Sequence, residues 1–517
     1  MEEPIVLKIF LIGFHHKKGC VKDSEYPKEN KYDFDIERLP SLCLPDQSHN
    51  YESDSVYFVI PNSNEEKRIF GVSCFRQIKT DKLINRKEND GTEFSRSSVQ
   101  KSVCCLTSIP LFGYIEVKLN LYVDKIFEQA DFLKCEELLK ESYIELNRCL
   151  SMRLETIDLN DFYIGLCLRE LISIWKHKIL VLFKLLLLEK RVLCYGTPVR
   201  PLCTTILSII SLHPHLLNKG LWNCPDKKQK KLEIFQDDKI NVEEEITNST
   251  DSQKPHLMNL RCINTKDFFA PMHIFKNGYL CLPFISLSYI DIIADKLNNG
   301  FIAGASNVLF QQKKNLVDVI IDIPTQTIDY NDAELKRSLQ LTSHDLRFFE
   351  HILKGIDSPS EEMGGIGTDQ WIRNQFESYF TSMLRTNYEV DNNRELECFN
   401  ECFMEEWRKT NNYQDWLTKK ITFMSSNLEG NDFDKFPLGH PFSRQPINVS
   451  DVRNKIVQSI NNTPSARKTV AAVTTTFSNA KSSFALWLSN LSVKEEVSDD
   501  LKDEYDKVDQ EKTNQVI

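Results

Sequence analysis

The stretch IVLKIFLIGFHHKKGC, residues 5–20, decides how the rest of the chain is read. It is either a loop that cradles phosphate or a strand entering a basic turn. A phosphate loop of the form G-x-x-x-x-G-K-[ST] wraps backbone amides around phosphates, reaches over them with lysine and holds magnesium through the hydroxyl. Here five residues separate Gly13 from Gly19, Lys17 and Lys18 precede the second glycine, and Cys20 stands where the hydroxyl is needed. The chemistry of a nucleotide site is missing, so the stretch reads as a β-strand running into a turn. Adjacent strand residues point to opposite faces, which prevents His15 and His16 from sharing a metal. The pair is expected in a solvated turn.

Working outward, 517 residues exceed one hydrophobic core, and two or three domains are expected. A hydrophobic fraction of 41% with 27% charged residues fits a soluble globular chain. A net charge of −10 disfavours nucleic acid as the main partner, because phosphate contacts supply most of that affinity. The 15 cysteines are scattered without a C-x-x-C pair, which reads as free thiols in a reducing compartment. Cys398 and Cys402 share a helix face if that segment is helical, but no second pair completes a zinc site. The acidic start, with its apolar run broken by Lys8, is not a secretory signal. The run from Ile179 contains Lys184 and is too short to cross a bilayer, and the run from Pro201 to Leu217 reads as a buried core helix.

The first 150 residues read as strands and then helices. Ile5–Phe14, Ser55–Ile60, Arg68–Arg76 and the run SVQKSVCCLTSIPLFGY are apolar and β-branched; afterwards Leu119, Val123 and Phe127 fall on one helical face. From about 163 helix and strand alternate. A long helix reaching Leu188 precedes RVLCYG, a Pro-started helix follows from Val199, and strands are expected at Gly278–Leu282, GFIAGASNVLF and VDVIIDI. Such alternation predicts a mostly parallel α/β core. Residues 223–266 are charged and poor in large apolar groups and read as a disordered insert. Beyond Ser343 the pattern is helical.

Catalytic constellations are missing from the sequence. There is no G-x-S-x-G, no H-E-x-x-H, no G-x-G-x-x-G after a strand and no kinase set. The glycine-rich GGIGTD (364–369) has no strand leading into it and reads as a loop before a helix near Trp371. HPH at 213–215 has the wrong spacing for one helix face. No catalytic residue, metal ligand or cofactor is assigned, and a binding or regulatory protein is favoured over an enzyme of covalent chemistry.

Several stretches then carry a resemblance. LIGFHHKKG, LPSLCLPDQSHN, VYFVIP, FGVSCFRQI, RSSVQKSVCCLTSIPLFG, HKILVLFKLLLLEKRVLCYG, GFIAGASNVLF, SHDLRFFEHIL, DQWIRNQFESYF and WRKTNNYQDW occur in this order. Together, up to about Asn490, they resemble the Avl family of DENN-domain proteins, the late secretory pathway group. The departures are the polar inserts at 80–96 and 223–266 and the acidic tail. The resemblance implies an α/β, two-lobed DENN fold. Its longin-like N-terminal lobe (1–150) would precede a larger α/β lobe (151–330, with the insert at 223–266) ending in helices (331–432). It further implies a trafficking regulator, between Golgi and plasma membrane with links to endosome recycling and cell migration, that acts on a Rab GTPase. Guanine-nucleotide exchange follows from the wider fold by analogy; the alternative is a scaffold that binds a GTPase without exchange. No GTPase-contacting residue can be named. The expected location is cytoplasmic, peripherally on Golgi-derived or endosomal membranes.

The C-terminal region carries a separate signal. Val470, Val473, Phe477, Ala480, Phe484, Trp487 and Leu491 alternate at spacings of three and four, lining one helical face, while Arg453, Lys455, Arg467, Lys468 and Lys481 face only Asp451 in charge. Residues 433–491 thus read as a linker and an amphipathic helix whose Val473, Phe477, Phe484, Trp487 and Leu491 contact a membrane surface. The same repeat also fits a coiled-coil seam or a helix docked on the protein. Residues 492–517 read as an acidic disordered tail.

Overall fold

The computed structural model describes residues 4–29, 35–60, 68–86, 96–153, 157–221, 272–276, 278–359, 365–389, 393–426 and 438–443. All of them belong to one compact unit, Met1–Gln445. The insert expected at 223–266, the membrane residues Val473, Phe477, Phe484, Trp487 and Leu491, and the acidic tail lie outside the described residues.

Strands β1 (Val6–His15), β2 (Gly19–Tyr26), β3 (Ser53–Ile60), β4 (Ile69–Lys79) and β5 (Ser98–Thr107) form an antiparallel sheet in the order β2-β1-β5-β4-β3. A short helix α1 (Pro40–Cys43) links the first hairpin to β3. Strand β1 is buried almost throughout, so its pattern is a continuous apolar run instead of an alternation. Even Lys8 is buried, with its ammonium 3.1 Å from Glu25 of β2. Helices α2 (Phe112–Gln129) and α3 (Glu136–Arg153) pack on β4 and β1. Of the expected face of α2, Leu119 and Val123 are fully buried while Phe127 is half-buried; Ile126, beside it, is the fully buried residue of that turn.

The opening turn departs from expectation in one respect. His15 is buried, and its Nδ1 accepts the backbone N–H groups of Lys17 and Lys18 at 3.1 and 3.3 Å. Only His16 is exposed, with its ring stacked on that of His15. The expected solvated pair is thus half correct, because orphan turn amides recruit one imidazole inward.

The next segment holds α4 (Leu159–Tyr163), then α5 (Leu168–Trp175) and α6 (Lys178–Leu187) where the sequence predicts one long helix from about 163 to Leu188. Gly165 and Lys176 adopt positive φ, +80° and +49°, and each breaks the helix. A second five-stranded sheet follows: β6 (Arg191–Tyr195), β7 (Tyr279–Leu282), β8 (Gly300–Ala305), β9 (Val319–Asp322) and β10 (Thr327–Tyr330), ordered β10-β9-β6-β8-β7. Every pairing is parallel except β10 with β9. Helix α7 (Val199–Ser211) is buried along most of its length, and α8 (Ile290–Ala294) and α9 (Leu309–Gln312) flank β8 in sequence. The molecule is therefore mixed α/β with two sheets, antiparallel first and mostly parallel second.

The remainder is helical: α10 (Ala333–Ser338), α11 (Ser343–Asp357), α12 (Asp369–Glu389), α13 (Asn393–Glu397), α14 (Glu401–Arg408) and α15 (Asn411–Ser426). Thr342 and Asp345 form a reciprocal capping box at the start of α11. Among the described residues every cysteine is a free thiol, and no helix is long and apolar enough to cross a membrane. Cys398 falls between α13 and α14, so it shares no helix with Cys402.

Candidate functional site

Helix α7 begins after Pro198 with no side-chain cap of its own. Its first amides are satisfied from the other sheet: the carboxylate of Asp54, on β3, accepts the N–H of Val199 at 2.7 Å and of Arg200 at 3.0 Å. This is an N-cap supplied across the junction, placed where the helix dipole favours a negative charge. Burial pushes the Asp54 carboxyl above its ordinary pKa, against the pull of those amides and of Ser55.

Arg200 then grips Glu116 of α2 in a forked pair, Nε to Oε1 at 2.7 Å and Nη2 to Oε2 at 3.2 Å. The Tyr57 hydroxyl of β3 donates to the same Oε2 at 2.5 Å. Burial works to raise Glu116, but Arg200 and Tyr57 outweigh it and hold the carboxyl below its usual range. Close by, a Cβ at Gly113 would collide with the carbonyl of Ile164, so α2 and the turn before α5 approach through that glycine.

The seam continues outward. Arg38 donates to both carboxylate oxygens of Asp291, at 3.1 and 2.5 Å, and its guanidinium lies 4.2 Å from the Tyr289 ring centroid. Ser41 and Ser286 share a hydrogen bond of 2.7 Å, and the Asn307 amide donates to Asp46 at 2.7 Å. Directly after Asn307, Val308 and Leu309 are exposed, an apolar pair beside the junction.

A second polar cluster holds the helices together. Lys184 of α6, wholly buried, donates to Asp345 of α11 at 2.7 Å and to the Phe399 carbonyl at 3.1 Å. The Tyr379 hydroxyl donates to the other Asp345 oxygen at 2.6 Å, and His440 lies 3.4 Å from it. Residues 438–443 thereby return to the helices: the N–H of Gly439 donates to Thr386 at 2.8 Å, and Phe442 packs near Phe348.

Chemically, these are groups that pair with one another. No group of three or more potential metal ligands occurs among the described residues. Burial pushes the Cys20 and Cys74 thiols up to about 12, which disfavours the thiolate a nucleophile needs. The arrangement is suited to fixing two sheets and a helical array in one geometry. The sequence-derived membrane residues play no part in it, being outside the described residues. Sequence reading missed Asp54, Glu116 and Arg200; the only hint was a helix start at Val199 without its own cap, and the partner capping it lies 145 positions upstream.

The family described as Transport protein Avl9 matches residues 6–387, which span both sheets and most of α12. The chain belongs to the Avl9 family. Late secretory pathway protein AVL9 of Saccharomyces cerevisiae is 29% identical over 500 residues, covering 86% of this chain and 61% of that protein. The chain therefore spans less than two thirds of that relative's length. Late secretory pathway protein avl9 of Schizosaccharomyces pombe is 29% identical over 435 residues, 80% of this chain and 86% of its own.

Proposed function

We propose that this protein is a DENN-domain regulator of late secretory transport that acts on a Rab-family GTPase as a nucleotide exchange factor. The observation that carries the reading is the order of modules in an Avl9-family chain: an antiparallel sheet with two helices, a mostly parallel sheet, then a helical array, with the first two joined at the Asp54–Arg200–Glu116 seam. The names of the yeast relatives supply the pathway. Exchange needs no covalent chemistry. A protein that binds the nucleotide-free GTPase more tightly than the loaded one weakens nucleotide affinity by the same factor, through linkage. What it must supply is a rigid surface that stabilises displaced switch segments. The partner GTPase would lie along the seam, with Val308 and Leu309 as apolar contacts. Transport from Golgi to plasma membrane, endosome recycling and cell migration are the processes this would serve, from a peripheral position on those membranes held by the amphipathic segment around Phe477 and Trp487.

The test is release of labelled nucleotide from a panel of purified Rab GTPases. Acceleration for at least one Rab, reduced by Val308→Glu with Leu309→Glu, is the expected result; no acceleration across the panel rejects exchange. The second reading, a scaffold that binds without exchange, predicts preference for the GTP-loaded form, whereas an exchange factor prefers the nucleotide-free form.

A further inference from the structure

We propose that the end of the antiparallel sheet bearing the β1–β2 turn is a docking face for anionic lipid headgroups. The register gathers bases from separate parts of the chain at that end. Lys17 and Lys18 sit in the turn after β1, and Lys79 closes β4 opposite Ser98, the first residue of β5. Lys82 and Arg86 follow β4 directly, and Arg96 precedes β5. All six are exposed. Lys17, Lys79 and Lys82 make no ion pair among the described residues. Exposed acids near this end include Asp46, Glu52, Asp81, Glu128 and Asp124, the last lying 3.6 Å from Arg76. In a chain of net charge −10, the exposed bases among the described residues here are at least as numerous as the exposed acids. Residues 87–95, with Lys87 against Glu88, Asp90 and Glu93 in sequence, lie outside the described residues.

The bases are held by rigid supports. His15 fixes the turn amides of Lys17 and Lys18. The Thr80 hydroxyl donates to the Arg96 carbonyl at 2.5 Å, the Thr80 N–H to that of Ser97 at 2.9 Å, and the Arg96 guanidinium lies 4.6 Å from the Phe14 ring centroid. Apolar groups accompany them. Ile84 is 77% exposed and Leu133 42%. The Ile84 N–H bonds to the Ala130 carbonyl at 2.9 Å, which brings Ile84 to the end of α2 just ahead of Leu133. Four of the bases are lysines, point charges that attract a diffuse phosphate surface without the geometric fork that arginine presents to one carboxylate. Exposed aliphatic groups beside such charges gain only where an apolar layer lies under the headgroups. That combination favours a bilayer over an acidic protein or nucleic acid.

About 1 kcal/mol per lysine near an anionic leaflet corresponds to roughly fivefold in affinity for each charge. The experiment uses the full chain carrying Phe477→Ser, Phe484→Ser and Trp487→Ser, which silences the C-terminal segment, and measures flotation with vesicles of phosphatidylcholine alone or mixed with phosphatidylserine. Flotation with phosphatidylserine only, weakening as salt rises, is expected. Lys17→Glu, Lys79→Glu and Lys82→Glu together should reduce vesicle affinity by about 100-fold or more at an unchanged thermal midpoint. The corresponding triple change to Gln should give an intermediate loss, and to Arg almost none. Ile84→Ser with Leu133→Ser should weaken binding on phosphatidylserine vesicles without altering its salt dependence. Flotation that ignores phosphatidylserine, or that survives the Glu changes, overturns the proposal. So does a protein that fails to float, which would leave this face to an acidic protein. GTPase exchange is read in a separate assay, so the two proposals succeed or fail independently.

Discussion

Lys184 lies in the apolar helix α6, flanked by Phe183 and Leu185, and no part of it reaches solvent. Its charge is tolerable only because Asp345 meets it at 2.7 Å and the Phe399 carbonyl accepts a second hydrogen bond from the ammonium. Burial pushes Asp345 upward in pKa, but Lys184 and His440 outweigh it and hold the carboxyl well below the usual range. Replacing Lys184 with Met would leave that carboxylate buried without its cation. The expected loss of stability is about 3–5 kcal/mol, read by chemical denaturation. Adding Asp345→Asn should recover part of it, since the uncompensated charge is then gone. A Lys184→Met protein as stable as the parent would mean that the pair contributes nothing. The sequence displays Lys184 as an interruption in an apolar run, but its partner stands 161 positions further on. Single-sequence patterns carry no information about such pairings.

At the scale of elements, α7 depends on a cap it does not own. Asp54→Ala removes the acceptor for the amides of Val199 and Arg200 and should cost about 1–2 kcal/mol, while Asp54→Asn, which keeps an acceptor, should cost less. Thermal melts of the two variants side by side check this; equal losses would show that charge, not capping, is what α7 requires. Elements whose cause is local were legible. The β-branched runs of β1, β3, β4 and β5 and the Leu119–Val123 face of α2 follow from periodicity alone. Elements decided by one backbone torsion were not, which is why α5 and α6 read as a single helix. Strand β10 was missed for another reason: Thr327–Tyr330 is a short edge strand, half exposed, without the apolar run that marks its neighbours. The seam between the sheets was invisible because all of its contacts join distant segments.

Across the whole molecule, buried histidines set the response to acid. Burial lowers His213 to about 3 and His215, His273 and His440 to about 4, from the ordinary value of 6.5. Unfolding restores the ordinary value, so these groups contribute stability that is complete above pH 6.5 and is lost as pH falls towards 4. Near pH 5.5 the unfolded chain binds roughly three to four more protons at these sites than the folded one, each worth about 1.4 kcal/mol per pH unit. Glu377 acts with the opposite sign. Burial raises it to about 7, and its Oε1 is buried without a hydrogen-bond partner. The folded protein therefore holds a proton there that the unfolded carboxyl releases above 4.5. Its contribution improves as pH falls from 7 to 4.5 and cancels that of about one histidine. Glu377→Gln should accordingly stabilise the protein by about 1–3 kcal/mol at pH 7.5 and steepen the acid-side decline. The variant and parent curves should meet near pH 4.5. Denaturant titrations across this range test the balance, and two parallel curves would show that Glu377 shares the proton affinity of an exposed carboxylate.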